Sequence, residues 1–101
     1  MTTIPVYVFA KWQVKQGSLE KVLSLLEEAA RRSREEKGNL VYKLHQSNSD
    51  PNTILLYEGY ADEAAAKEHR DSDYFQEIVI SSIVPLLETR EVFVATSILD
   101  L

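Results

Sequence analysis

The sequence contains no cysteine, and its 101 residues include only three glycines and three prolines. Without cysteine the chain forms no disulfide and offers no thiolate as a nucleophile or a metal ligand. No apolar run approaches the roughly 20 residues that span a bilayer, so we expect no membrane contact. The first residues lack the basic and apolar segments of a secretion signal, which makes the cytoplasm the expected compartment.

Basic residues are also too few to indicate nucleic acid as a partner. The 11 Lys and Arg residues are outnumbered by 16 Asp and Glu residues, and the formal net charge is −5. A nucleic-acid-binding domain usually carries a basic patch or stripe, whereas the basic residues here are scattered among acidic ones. Hydrophobic residues make up 45% and charged residues 27%, which is typical of a single globular domain, here expected over residues 1–101.

Apolar residues recur with two spacings along the chain. Alternation with period two predicts strands over 4–14, 39–47, 53–61 and 89–98. A dense turn signal over 48–52 joins the second and third strands as a hairpin. Helical spacing predicts a helix over 18–37 and a broken helical region over 63–70 and 72–84. This βαββαβ order predicts a ferredoxin-like α+β fold with an antiparallel sheet and helices on one face.

Glycine and aspartate mark two of the predicted helix ends. Gly38 follows the first helix, and we expect it to end that helix in the left-handed conformation. Asp62 precedes the second helical region and is its predicted N-cap. Arg34 and Glu36 lie near the end of the first helix, and this position is typical of solvated residues.

The predicted strands are apolar on both faces. Val92 and Val94 point one way in the last strand while Phe93 and Ala95 point the other. An antiparallel sheet that is covered on one side only should instead alternate apolar and polar residues. The second apolar face would be larger than monomers usually expose. We therefore expect a homodimer in which a second copy covers it.

One strand and the helix after it carry the candidate catalytic residues. Glu58 and Tyr60 share a strand face with Ile54 and Leu56, and a carboxylate among apolar neighbours requires a partner. His69 follows on the next helix, where it can approach both. An acid, a phenol and an imidazole around a small cavity can move protons at neutral pH. The alternative is a structural pair of Glu58 and His69 that fixes the helix to the strand.

Three aromatic residues are candidates for binding a substrate, although each is also compatible with the core. Tyr42 lies on the second strand, Trp12 on the first, and Phe75 in the last helical segment. The two histidines, His45 and His69, lie on different elements without ligand spacing, so we expect no metal site. His45 has the opposite parity to Tyr42, and we assign it no catalytic role.

Taken together, these residues resemble the antibiotic biosynthesis monooxygenase domain. The resemblance rests on Gly17, Ser33, Arg34, Glu36, Gly38, Leu40, Tyr42, Asp50, Pro51, Tyr57, Glu58 and His69 in this order. It implies homodimers that form a dimeric α/β barrel, with a pocket between the helices and the sheet of each subunit. It also implies oxidation of a small quinol-like or phenolic aromatic substrate by molecular oxygen, without flavin, metal or haem.

The resemblance also implies roles for individual residues. His69 would be the base that generates the substrate anion, Glu58 would orient it or stabilise its charge, and Tyr60 and Tyr42 would position the substrate. Tyr60 departs from the commoner Trp of the family, and the surrounding segment is similar to the branch that isomerises a phosphorylated hydroxyketone. Ala10 replaces the Asn of the haem-degrading members. An isomerase and a non-catalytic dimeric binding module are therefore the alternatives.

Overall fold

The computed structural model describes residues 4–99 and has the predicted order of elements. The strands are β1 (Val6–Val14), β2 (Asn39–Gln46), β3 (Thr53–Tyr60) and β4 (Leu87–Ala95). The helices are α1 (Leu19–Arg34) and α2 (Glu63–Asp71), followed by a π-helix (Phe75–Ile83) and a 3-10 turn (Val84–Leu86). The prediction of a ferredoxin-like α+β fold is therefore confirmed. No helix within residues 4–99 has the length and apolar character needed to cross a bilayer.

The four strands form one antiparallel sheet in the order β2-β3-β1-β4. β3 lies beside β1 with Val8 opposite Glu58 and Trp12 opposite Ile54. β4 lies on the other side of β1, with Trp12 opposite Arg90. Because side chains alternate along a strand, this register fixes which residues share the side on which the helices pack. β2 and β3 form the predicted hairpin.

The core lies between the helices and one face of the sheet. The buried residues of α1 recur on one side of the helix, as an amphipathic helix requires, and the fully buried ones include Val22 and Leu26. They pack with sheet residues that include Trp12, Ile54 and Leu56 in one cluster. Asp62 caps α2 as predicted, because its carboxylate accepts a hydrogen bond of 2.8 Å from the Ala65 N–H.

The opposite face of the sheet has none of the helices of residues 4–99 packed on its aromatic centre and carries exposed apolar side chains, as the alternation predicts. Phe9 is 44% exposed and Phe93, which lies directly across from it, is 58% exposed. Tyr57 stacks on Phe9 with ring centroids 5.1 Å apart. We call this surface the open face.

Two details near the helix ends differ from the prediction. α1 ends at Arg34 rather than at residue 37. Gly38 does not adopt the left-handed conformation, because the one residue with positive φ in the described part of the chain is Gly17, at 87°. Gly38 is required for a different reason: a Cβ atom there would lie 2.5 Å from Cβ of Ala65. The absence of a side chain lets the loop between α1 and β2 approach α2.

The last helical segment and the last strand also differ from the prediction. The segment after Ser72 is a π-helix rather than an α-helix, and it ends at Ile83, close to the predicted end at residue 84. β4 begins at Leu87 instead of residue 89 and ends at Ala95 instead of residue 98. The helix type was not predicted because the buried residues Val79 and Ile83 lie four positions apart, and this spacing is compatible with both an α-helix and a π-helix.

Candidate functional site

A cavity of about 70 Å³ lies between the helices and the helix side of the sheet. All six residues that the sequence singled out line it, and they come from five elements: Trp12 (β1), Tyr42 (β2), Glu58 and Tyr60 (β3), His69 (α2) and Phe75 (π-helix). Period-two alternation places the strand residues there, since Trp12, Tyr42, Glu58 and Tyr60 all point toward the helices. Their roles stay predictions, but the fold brings them to one place.

Glu58 and Tyr60 form a hydrogen-bonded pair in the wall of the cavity. The Tyr60 hydroxyl donates to Glu58 Oε1 at 2.6 Å, and both side chains are buried. Burial raises the pKa of Glu58 above its usual value, while the Tyr60 hydrogen bond acts in the opposite direction. Burial and the neighbouring Glu58 carboxyl also raise the pKa of Tyr60 far above its ordinary value. Tyr60 is therefore a phenol that donates its proton and does not release it.

His69, in the last turn of α2, is held at one ring nitrogen by a carboxylate. Its Nδ1 atom lies 2.9 Å from Glu36 Oε2, and the imidazole is only 3% exposed. A carboxylate accepts hydrogen bonds and does not donate them, so Nδ1 carries the proton. The other ring nitrogen, Nε2, then presents a lone pair. It lies 3.7 Å from Glu58 Oε1, which is too long for a hydrogen bond.

Glu36 is therefore a functional candidate that the sequence analysis assigned to a solvated helix end, and that interpretation was wrong. The residue lies beyond the end of α1, and its side chain is only 19% exposed. It also accepts a hydrogen bond from the Tyr74 hydroxyl, which in turn lies 3.2 Å from Ser33 Oγ. The one feature of the sequence that could have identified Glu36 as a functional candidate is the family resemblance, in which Glu36 is one of the matching residues.

Aromatic rings enclose the imidazole. The ring centroids of Tyr60 and Phe75 each lie 5.0 Å from that of His69. The Tyr42 centroid lies 6.1 Å away, and burial raises the pKa of Tyr42 far above its ordinary value, so its hydroxyl also stays protonated. The imidazole of His69 is thus surrounded by aromatic rings, and the phenol groups among them are neutral.

Two buried nitrogen atoms in this wall have no hydrogen-bond partner among the described residues: His69 Nε2 and Trp12 Nε1. Buried polar atoms are normally satisfied, so such exceptions require an explanation. Both side chains line the cavity, and a ligand or water within it would supply the missing partners. An imidazole lone pair and an indole N–H in the lining of one cavity suit a molecule that presents both an O–H and an oxygen acceptor.

A second, wider groove of about 520 Å³ lies between α1 and the outer strand β2. Its titratable residues, Glu27, Arg31, Arg34 and His45, are all exposed. Arg34 is used structurally, because its guanidinium donates two hydrogen bonds to the Tyr42 carbonyl. The buried base is in the smaller cavity, and we take that cavity as the candidate active site. Within residues 4–99, no three His, Asp or Glu side chains are arranged to share a metal ion.

Comparison with known proteins matches this chain to one family. The family model described as Antibiotic biosynthesis monooxygenase matches residues 5–79. The Bacillus subtilis protein named "Putative monooxygenase YcnE" is 36% identical over 67 residues, which are 66% of this chain and 70% of that protein. The resemblance inferred from the sequence is confirmed by both findings.

Solved structures give the same result for the fold. PA3566 from Pseudomonas aeruginosa matches with a TM-score of 0.89 at 23% identity, covering 98% of this chain and 99% of that chain. Rv0793 from Mycobacterium tuberculosis matches with a TM-score of 0.86 at 27% identity, covering 95% and 96%. Because the family model extends from before β1 into the π-helix, the chain belongs to the antibiotic biosynthesis monooxygenase family.

Proposed function

We propose that this protein is a cofactor-independent monooxygenase that oxidises a small quinol-like or phenolic molecule with molecular oxygen. One observation carries the proposal: His69 Nε2 is a buried nitrogen in a cavity, with no hydrogen-bond partner among residues 4–99, while Nδ1 is fixed by Glu36. A phenol O–H placed against Nε2 gives up its proton there. The resulting phenolate is electron-rich enough to react with oxygen directly.

The reaction balances for a dihydroxyarene. His69 Nε2 takes the phenol proton, and the ring carbon beside the oxyanion forms a C–O bond to oxygen, in which two electrons pass from the ring to the dioxygen unit. The imidazolium returns its proton to the peroxide. Loss of the ring C–H proton then breaks the O–O bond, hydroxide leaves as water, and a carbonyl remains. The sum is dihydroxyarene plus oxygen giving hydroxyquinone plus water.

The surrounding residues support each proton transfer. Glu36 keeps the proton on Nδ1, so Nε2 is the atom that accepts. Glu58, 3.7 Å from Nε2, stabilises the imidazolium that forms. Tyr42 keeps its phenol proton and suits a developing oxyanion, because it donates without ionising. The Tyr60 hydroxyl already donates to Glu58 Oε1, so Tyr60 holds that carboxyl in place beside the imidazole and packs against the substrate.

Oxygen uptake tests this proposal. With hydroquinone as substrate, we expect the wild-type protein to consume oxygen and His69→Ala to be slower by about 10²–10⁴-fold, the range for loss of a positioned base. His45→Ala is the matched control, since His45 is exposed and its one side-chain hydrogen bond within residues 4–99 joins it to the Leu55 carbonyl at 3.3 Å. Equal rates for the wild type and His69→Ala would refute the assignment of the base.

An isomerase is the second candidate, because the same Nε2 can remove a proton from a carbon beside a carbonyl. That reaction consumes no oxygen, so a hydroxyketone substrate that is rearranged at an unchanged oxygen concentration would favour it. A binding module without catalysis is the third. It predicts that His69→Ala changes ligand affinity while no product forms with the wild type.

We also propose that two copies of the chain pair through the open face. Phe9, Leu55 and Phe93 are each more than 40% exposed there, and the aromatic rings of Tyr7, Phe9 and Tyr57 stack along it. Removing apolar surface from water contributes roughly 25 cal/mol per Å². A second copy presents the same surface, so a two-fold axis brings apolar residues against each other on both sides.

A further inference from the structure

The cavity is smaller than the substrates considered for it. Its volume is about 70 Å³, whereas a cavity that binds benzene measures about 150 Å³. A substrate whose O–H reaches His69 must therefore extend beyond the enclosed space. The residues at the mouth of the cavity then select the chemical group that the outer part of the substrate carries.

The mouth lies at β4. Val92 and Val94 lie on the helix side of the sheet and line the cavity, yet they are 42% and 62% exposed. The other exposed residues in the lining are Arg70 and Arg90. The opening is thus an apolar surface formed by Val92 and Val94, flanked by the guanidinium groups of Arg70 on α2 and Arg90 on β4.

The Arg90 guanidinium makes no hydrogen bond or close ion pair with the side chains of residues 4–99, although Arg90 lies opposite Trp12 in the sheet. Its charge acts on the buried Glu58 carboxyl, whose pKa it lowers in opposition to burial, so the guanidinium lies near the cavity. The Arg70 guanidinium has one ion pair within residues 4–99 that the geometry supports, a loose one of 3.6 Å to Glu63, in which the two side chains are 48% and 72% exposed. Such exposed pairs contribute little. Two guanidinium groups therefore face the mouth of a cavity in a chain whose net charge is −5.

We infer that the substrate carries an anionic group, a carboxylate or a phosphate, that Arg90 and Arg70 bind at the mouth while its phenol O–H reaches His69. The inference rests on the proposed function for the inner half of the molecule. Guanidinium groups bind both anions through paired N–H donors. The orphaned Trp12 N–H lies in the same wall and adds a donor to the oxygen-rich part of the ligand.

Binding of matched probes tests the inference. Trp12 is the single tryptophan of the chain and lines the cavity, so quenching of its fluorescence reports occupancy. The probes are hydroquinone against 2,5-dihydroxybenzoate, and hydroquinone against 4-hydroxyphenyl phosphate, and every one of them keeps a free phenol O–H. We expect the anionic member of at least one pair to bind the wild type about tenfold more tightly, the scale of a hydrogen bond to a charged group. The pair with the larger gap identifies carboxylate or phosphate.

Substitutions locate that preference. In Arg90→Gln we expect the ratio of affinities for the anionic and the neutral probe to fall several-fold. In the double variant Arg90→Gln, Arg70→Gln we expect that ratio to fall to one. Arg31→Gln is the matched control, because Arg31 is an exposed arginine in the other groove and its loss should leave the gap intact. Added salt should narrow the gap in the wild type, since exposed charges are screened.

Two outcomes overturn the inference: equal binding of neutral and anionic probes by the wild type, and a preference that survives the double substitution. Both are separate from failure of the proposed function. Oxygen uptake with neutral hydroquinone and no preference for anions would retain the monooxygenase and remove the anion site. A preference that depends on Arg90, without oxygen uptake for either quinol, would retain the anion site and remove the monooxygenase.

Discussion

Glu36 Oε2 and His69 Nδ1 lie 2.9 Å apart although 33 residues separate them in the sequence. The contact joins the loop after α1 to the last turn of α2, and Tyr74 bonds to the same carboxylate oxygen from the beginning of the last helical segment. The acceptor at Nδ1 determines which ring nitrogen is free to act. The orientation of the imidazole therefore depends on Glu36, a loop residue that is not part of the cavity lining.

We expect Glu36→Gln to lower kcat for quinol oxidation by about tenfold or more, because removing the carboxylate behind a catalytic imidazole lets the wrong tautomer form. The amide can donate to Nδ1, which would place the proton on Nε2 and leave no base in the cavity. As a positioning residue, Glu36 should also set the pH dependence, so the activity profile of the variant should shift.

Glu35→Gln is the control for this prediction, since Glu35 is the exposed neighbouring carboxylate. Its activity and pH profile should match the wild type. A Glu36→Gln protein with wild-type kcat and an unshifted profile would show that the bond to His69 is merely structural.

The sequence predicts most of the cavity wall because alternation in a strand is a strong constraint. Once β3 is recognised, the parity of Ile54 and Leu56 places Glu58 and Tyr60 on the same side. The cap at Asp62 starts α2, and seven residues further on, in its last turn, His69 reaches the same space. These are local rules, and the structure follows them.

Glu36 was missed because its position depends on tertiary packing. It lies in the loop beyond the end of α1, where no periodicity operates, and that loop approaches α2 only because Gly38 has no side chain. The π-helix was missed because a spacing of four residues does not separate it from an α-helix. Loop packing and helix type are determined by contacts between elements, which no single segment of sequence encodes.

Gly38→Ala should destabilise the fold, because the new Cβ atom would lie 2.5 Å from Ala65 Cβ. We expect a loss of about 1–3 kcal/mol in the free energy of unfolding, the usual range for overpacking, measured by urea denaturation. The double variant with Ala65→Gly should recover part of that loss. Additive losses from the two substitutions would show that the contact is not the cause.

Glu58→Gln should become more stabilising as pH rises. Burial raises the pKa of Glu58 above its ordinary 4.5, so the folded state holds the proton more tightly than the unfolded state. Its contribution to stability is greatest below 4.5 and is lost as pH rises through the raised value. The amide never ionises and can still accept from Tyr60. The Tm of the variant relative to wild type should therefore increase between about pH 4 and pH 8.

Asp50→Asn is the control for this prediction, because its effect on Tm should change with pH in the opposite direction. Hydrogen bonds from the Asn52 N–H, then from Gln13 and Thr53, lower the pKa of Asp50 below its ordinary 3.8. A lowered pKa contributes stability that is present above 3.8 and lost as pH falls below it. The Tm deficit of Asp50→Asn should thus be full at neutral pH and shrink in acid. Parallel trends for the two variants would contradict both assignments.

Phe93→Glu should separate the proposed dimer. Phe93 is 58% exposed on the open face, so in a pair of sheets it would be buried against the partner, where an unpaired carboxylate is costly. We expect light scattering to give twice the chain mass for the wild type and a dissociation constant at least about tenfold weaker for the variant. Leu23→Glu is the control, since Leu23 is 41% exposed on α1 and away from the open face. If the wild type has the mass of one folded chain when dilute, or if both variants stay dimeric, the open face has another occupant.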